Sequence, residues 1–289
     1  MAKAFPGGSG VTRAFPPALS GGGGGGGGDL KWQEAYSVDW SAQSVHDFAT
    51  TATLDVGGVT WTALNNSANV QTNGLRTDGS NGLCIWPDGS ERIWDSRVDA
   101  PIVSCLLKDA VGLAKTYAMN KQAVAFQCTA TASQDIANNY DAFGAIFMNS
   151  EVGTSNGNAR YLNCTGLYDG GTRANLAAKM QTGNMQFKSS TGVAQSARDF
   201  FQLIVWPGPN YISAIFGSVG DMPADGNFPD PNDFTPTLQA SAPFSTLNDG
   251  SAFTLANARF GMSCAAERGS APDANPIFSK CRVLYMDVF

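Results

Sequence analysis

Acidic residues are used so unequally in this chain that a helical fold is hard to build from it. Glutamate occurs only at Glu34, Glu91, Glu151 and Glu267, among 24 acidic residues in 289. The aspartates gather beside glycine and proline, as in Pro87-Asp88-Gly89 and Ala224-Asp225-Gly226. Glutamate is a good helix former, whereas aspartate bonds to nearby backbone and stabilises turns. A chain with this preference is expected to consist of short extended runs joined by turns. The apolar pattern agrees: Val124, Phe126 and Cys128 alternate with Ala125, Gln127 and Thr129, the period of a strand with two unlike faces. Further strands are predicted at 58–64, 82–86, 102–107, 143–147, 160–168, 201–206, 211–216 and 280–289. Pro207-Gly208-Pro209-Asn210 supplies a hairpin-like turn between two of them. Nine or more strands predict an all-β protein, a two-sheet sandwich.

Only 15% of the residues are charged, so Asn, Ser, Thr, Gly and Ala must supply most of the polar surface. The net charge of −6 includes +2 from Lys3 and Arg13, which leaves −8 on residues 29–289. With no basic stripe to neutralise phosphates, nucleic acid is not an expected partner of that portion. It is long enough for one large all-β domain or two smaller ones. No apolar run has the length of a signal peptide or a membrane helix, so neither export nor membrane insertion is predicted.

Gly21 to Gly28 are eight consecutive glycines. Such a tract cannot pack a core, and ordering it costs more entropy than ordering any other sequence of equal length. As a free coil it spans roughly 16 Å. Ahead of it, Lys3-Ala4-Phe5-Pro6 and Arg13-Ala14-Phe15-Pro16-Pro17 repeat one pattern. Phenylalanine offers area to bury and proline lowers the entropy of an extended peptide before it binds. Residues 1–20 are therefore read as an extended anchoring arm, 21–28 as a tether and 29–289 as the β-sandwich domain. The anchoring residues would be Lys3, Phe5, Pro6, Arg13, Phe15, Pro16 and Pro17. A disordered leader or an expression scar is the alternative, although engineered linkers interleave serine and tags carry histidine runs.

Residues 217–250 show little periodicity and much Pro, Asp, Gly and Asn. A stretch of that length either works, touches a neighbour or hides an element. The sole histidine, His46, lies in Ser44-Val45-His46-Asp47-Phe48 with no Gly-x-Ser-x-Gly elbow anywhere, so a structural role is expected of it. Cys84, Cys105, Cys128, Cys164, Cys264 and Cys281 lack Cys-x-x-Cys spacing and most lie in apolar strands. Buried thiols are expected, with three disulfides as the alternative.

The order Asp78-Gly79-Ser80-Asn81-Gly82-Leu83, Ala100-Pro101-Ile102, Tyr140-Asp141-Ala142-Phe143-Gly144-Ala145-Ile146-Phe147 and a closing C-terminal strand resembles the concanavalin A-like lectin/glucanase jelly roll. The likeness spans most of residues 29–289 and is one of strands and turns. Its glucanase branch uses a Glu-x-Asp-x-x-Glu strand, because retention needs two carboxyls about 5–5.5 Å apart. No such strand is present, and on that ground no enzymatic activity is expected. Asp88 with Asp95, or Asp221 with Asp225, are the nominal substitutes, but both sit in turn-like contexts.

The same resemblance makes Ca²⁺ the one ion to consider, with oxygens at Asp221, Asp225, Asp230 and Asp233 or in the Asp78 to Asn81 turn. Otherwise no cofactor is implied. Trp86 and Trp94 flank Pro87-Asp88-Gly89-Ser90 and could stack on sugar rings, with core packing as the alternative.

A glycine-rich leader before a weakly charged β-body also resembles the organisation of accessory proteins of tailed bacteriophage. That likeness implies a structural or interaction protein of the virion, made in the host cytoplasm, serving as capsid decoration, fibre or tail appendage. Its partners would be other virion proteins through the arm. A host-glycan adhesin and a polysaccharide-degrading enzyme are the alternatives. Fibre proteins are commonly trimers, so a homo-oligomer is expected, although no heptad enforces one.

Overall fold

Alternation of apolar and polar side chains sorts this chain into two antiparallel sheets, each turning one face to a shared core. A computed structural model describes residues 30–64, 70–87, 100–131, 142–149, 161–168, 172–179, 185–191, 199–208, 211–235, 238–243, 253–265 and 275–289. For 72–73, 142, 161–168, 172–179, 185–191, 211 and 238–243 only the backbone is considered.

Sheet A has nine strands. Its order is β15 (Leu238–Pro243), β14 (Tyr211–Gly220), β13 (Phe200–Gly208), β8 (Gln122–Thr131), β17 (Ile277–Asp287), β6 (Leu83–Pro87), β5 (Val70–Thr77) and β2 (His46–Asp47). The ninth, β1 (Gln33–Asp39), shares one edge of β17 with β6. Ile277 and Phe278 pair with β6 and Lys280 to Tyr285 pair with β1 along one edge, while on the other edge the register with β8 shifts between Phe278 and Lys280. Sheet B has eight strands. They run β12 (Met185–Thr191), β11 (Thr172–Lys179), β10 (Tyr161–Tyr168), β9 (Ala142–Met148), β16 (Arg259–Ala265), β7 (Ile102–Leu106), β4 (Val59–Leu64) and β3 (Thr53–Val56). The all-β sandwich expected from the sequence is the fold observed, and each of the nine predicted strands is present.

The two sheets meet through aromatic side chains. Phe126 of β8 stacks on Phe260 of β16 with centroids 5.3 Å apart, and Phe143 of β9 meets Phe201 of β13 edge-on at 5.6 Å. Phe147 extends the layer to Phe260 and Phe253. Near β1, Trp40 packs edge-on against Trp61 at 5.0 Å. The buried Tyr36 hydroxyl donates to the Val56 carbonyl at 2.6 Å and accepts the Trp61 indole N–H at 3.0 Å. These polar tips are thus satisfied inside an apolar layer, as burial of Tyr and Trp requires. Burial raises the Tyr36 pKa far above the usual phenol value, outweighing the indole hydrogen bond, so the hydroxyl stays protonated.

The one α-helix among the described residues, α1 (Leu107–Gly112), tucks Leu107, Ala110 and Val111 into the core. No helix among these residues is long and apolar enough to cross a membrane. Cys84, Cys105, Cys128, Cys264 and Cys281 are buried thiols, as expected; the Cys164 side chain lies outside the described residues. Desolvation raises Cys105 to about 12 and, with the Asp78 charge adding to it, Cys84 to about 11, so both are inert at neutral pH.

The 217–250 stretch resolves into parts. Residues 217–220 end β14, residues 221–235 form a strap, and β15 is an element hidden from periodicity.

Candidate functional site

Strand parity decides what each sheet offers on its outer side. On β8 and β13 the core takes Val124, Phe126 and Cys128, and Phe201, Leu203 and Val205. The residues between them, among them Gln127, Gln202 and Phe200, therefore face outward from sheet A. The strap lies over these positions. Arg282 of β17 donates from Nε to Gln127 Oε1 at 2.7 Å, from Nη1 to Glu34 Oε2 at 3.3 Å, and from Nη2 to the carbonyls of Phe228 and Pro229 at 3.1 and 2.9 Å. Gln127 Nε2 donates to Gln202 Oε1 at 2.6 Å and to the Pro229 carbonyl at 3.0 Å. Phe200 receives Phe228 and Phe234 from the strap at 5.9 and 4.5 Å, and the Arg282 guanidinium lies 5.2 Å from the Phe228 centroid.

Beyond the strap, the outer face of sheet A becomes apolar. Trp32 and Trp206 pack with Ala123, Ala125, Ile204, Leu284 and Met286 in a separate buried cluster. Trp32 Nε1 also donates to Asn232 Oδ1 at 3.3 Å, which ties this cluster to the strap. Sheet A is therefore closed on its outer side by contacts that use its polar groups.

Sheet B differs. On β16 the core takes Phe260, Met262 and Cys264, so Arg259, Gly261 and Ser263 occupy the outer face. On β7 the core takes Val103 and Cys105, which leaves Ser104 outward. The register places Gly261 beside Ser104, Ser104 beside Thr62 of β4, and Thr62 beside Thr53 of β3. Ser263 lies between Gly144 of β9 and Ile102 of β7. The floor thus passes from buried Arg259 and Ser263, through half-buried Thr62, to exposed Thr53 and Asp55 at the β3 edge.

The centre of this floor is an arginine clasped by a serine. Arg259 is 8% exposed; its Nε donates to Ser104 Oγ at 2.9 Å and its Nη2 to the Ser104 carbonyl at 3.1 Å. Gly261 permits this, since a Cβ there would meet the Val103 carbonyl oxygen at 2.5 Å and Ser104 Cβ at 2.7 Å. No carboxylate pairs with Arg259 among the described residues. Desolvation lowers its pKa from the ordinary arginine value, against weaker opposing effects of Cys105 and Asp109. Four residues along the same strand, the buried Ser263 Oγ has no hydrogen-bond partner.

The residues singled out in the sequence lie elsewhere. Trp86 of β6 is half-buried on sheet A, with its indole N–H donated to the Pro276 carbonyl at 3.0 Å. Trp94, Asp88, Asp95 and the arm residues Lys3, Phe5, Pro6, Arg13, Phe15, Pro16 and Pro17 lie outside the described residues. Asp225 accepts the backbone and side-chain N–H groups of Asn227, and Asp230 accepts the Asn232 backbone N–H at 2.8 Å. Asp221 and Asp233 are exposed, and no group of three or more His, Cys, Asp or Glu converges among the described residues. Asp78 binds the N–H groups of Ser80, Asn81 and Gly82 and the Asn81 amide, so its oxygens are occupied by its own turn. The His46 ring bonds to the Thr51 carbonyl at 2.9 Å and stands edge-on to Phe48. Sequence reading missed Arg259, Ser104 and Ser263. The available signal was the alternation Arg259-Phe260-Gly261-Met262-Ser263-Cys264, which assigns a face but not a partner.

No protein-family model and no curated protein matches the chain. Among solved structures, the chain is similar to an endo-1,3-beta-glucanase from Streptomyces sioyaensis, with a TM-score of 0.50 and 10% identity over 92% of this chain and 100% of the other. It is also similar to the xyloglucan-locus GH43B protein of Bacteroides ovatus, with a TM-score of 0.46 and 10% identity over 87% of this chain. Here the match spans 39% of the other chain, about two fifths of its length. The CBM2 module of the evolved Dit protein of Lactobacillus casei BL23 phage J-1 matches with a TM-score of 0.43 and 12% identity, over 90% of this chain and 98% of the module. The likeness shows the fold alone, a two-sheet antiparallel jelly-roll β-sandwich shared with the glucanase. This corrects the expectation that the chain is not an enzyme: its sandwich is one on which a glucanase is built, so missing one glutamate motif does not exclude catalysis.

Proposed function

We propose that this chain is a glycan-recognising β-sandwich carried on a bacteriophage particle, attached through residues 1–28 and binding sugar on the outer face of sheet B. The contrast between the two outer faces supports the glycan reading. Sheet A uses Arg282, its glutamines and its apolar patch to hold the strap and two tryptophans, although Arg76 Nε on β5, away from the strap, has no partner among the described residues. On sheet B, among the described residues, Arg259 donates only to Ser104, and the buried Ser263 hydroxyl has no partner. Serine and threonine hydroxyls both donate and accept, which suits the mixed donors and acceptors of a sugar ring. Glycine beside Ser263 keeps the floor low, as strands do where another group approaches closely.

The particle reading is supported by the arm, where two Phe-Pro segments follow basic residues and precede eight glycines. Such a leader offers apolar anchors on a flexible leash.

A polysaccharide microarray probed with the full chain tests the sugar face. Binding to at least one polysaccharide class is expected. Thr62→Trp, which fills the floor, should weaken it tenfold or more, while Trp86→Ala should leave it unchanged. Loss through Trp86→Ala with Thr62→Trp unaffected would move the site to sheet A and overturn the assignment. Reducing ends released from each bound polysaccharide are counted in the same experiment, because the fold is shared with a glucanase.

A further inference from the structure

A guanidinium presents two forks of parallel N–H groups: a side fork of Nε and Nη2, and an end fork of Nη1 and Nη2. In Arg259 the side fork is taken by the hydroxyl and carbonyl of Ser104. The end fork has no partner among the described residues, and the group is more than nine-tenths buried. A buried cation is costly, the Asp109 charge offsets that cost only weakly, and among the described residues two of the five N–H donors are engaged. Ser263, 0% exposed and also without a partner, lies on the same face of the same strand.

We infer that Arg259, clasped by Ser104 and accompanied by Ser263, forms a subsite for the carboxylate of an acidic sugar, a uronate unit within a polysaccharide. A carboxylate is planar and matches the free end fork with two parallel hydrogen bonds, which a neutral hydroxyl cannot do. Ser104 fixes the guanidinium plane and so acts as a positioning residue. The −8 charge on residues 29–289 does not oppose this at contact range, since exposed charges are screened over about 8 Å at physiological salt. Of the acidic groups near Arg259, Asp109 acts on it more weakly than desolvation does, and Asp55 is at the far β3 edge, three strands away, or roughly 14 Å at the usual strand spacing. The inference rests on the reading of sheet B as the sugar face.

Calorimetry on the full chain separates the two claims. The probes are hexamers of galacturonate, glucuronate and mannuronate, together with the same oligosaccharides after carboxyl reduction. At least one native hexamer should bind tenfold or more tightly than its reduced counterpart. Arg259→Met should abolish that preference and Arg259→Lys should recover only part of it, because lysine supplies charge without the fork. Ser263→Ala provides the safeguard against misfolding. Its hydroxyl supports nothing within the fold, so thermal stability should hold while uronate affinity falls severalfold. Equal binding of native and reduced oligosaccharides would overturn the carboxylate subsite and leave the sugar face standing. Failure of the full chain to bind any neutral or acidic glycan would overturn both.

Discussion

Asp78 shows how much of this fold depends on single polar residues. Burial pushes its pKa up, but the N–H groups of Ser80, Asn81 and Gly82 and the Asn81 amide hold it well below the usual carboxylate range. Because the folded-state pKa is depressed, the stabilisation is complete above the unfolded value of about 3.9 and is lost as pH falls through the folded value. Asp78→Asn should therefore lower the urea midpoint most at pH 7, and the deficit should narrow between pH 5 and pH 3. A deficit constant with pH would show that the charge is not what the turn uses. Arg259 and Ser104 teach a different lesson at this scale. Their bond joins residues 155 positions apart. Local spacing can place each on a strand face, but no local pattern can bring them together.

Elements were legible where one face is apolar and the other polar, as in β8 and β13. They were hidden where side chains carry little of that contrast. β11, with the sequence Thr-Arg-Ala-Asn-Leu-Ala-Ala-Lys, has the composition of a helix and is a strand because β10 and β12 pair along both edges. β15 is a hidden element of the kind that the aperiodic 217–250 stretch allowed for, and it escapes periodicity for the same reason. The strap is the other element that periodicity could not find, since its hold comes from carbonyls of Phe228, Pro229 and Pro231 received by side chains of sheet A. Arg282→Met removes the side-chain donor to the Phe228 carbonyl and one of the two to the Pro229 carbonyl. Limited proteolysis should then cut within residues 221–235 at least fivefold faster, with the strand circular dichroism preserved. Cleavage at an unchanged rate would mean that the glutamine bonds, the Trp32–Asn232 bond and the aromatic contacts of Phe200 retain the strap without Arg282.

For the whole molecule, the two sheets contribute unequally. Both supply the aromatic core; on the outer side of sheet A the polar groups of β8, β13 and β17 hold the strap, whereas on sheet B Arg259, Ser104 and Ser263 are likewise buried and Ser263 Oγ has no partner among the described residues. That asymmetry was not legible in the sequence, which suggested sugar stacking at Trp86 and Trp94 and cation binding in the strap aspartates. Each was judged by residue type alone, whereas the sandwich decides by register. A crystal structure of the full chain soaked with an oligosaccharide that it binds is the most direct measurement. The sugar should lie over β16, β7 and β4, in contact with Arg259 or Ser104. A sugar seated against the strap or on Trp86, with the outer face of sheet B empty, would contradict this account.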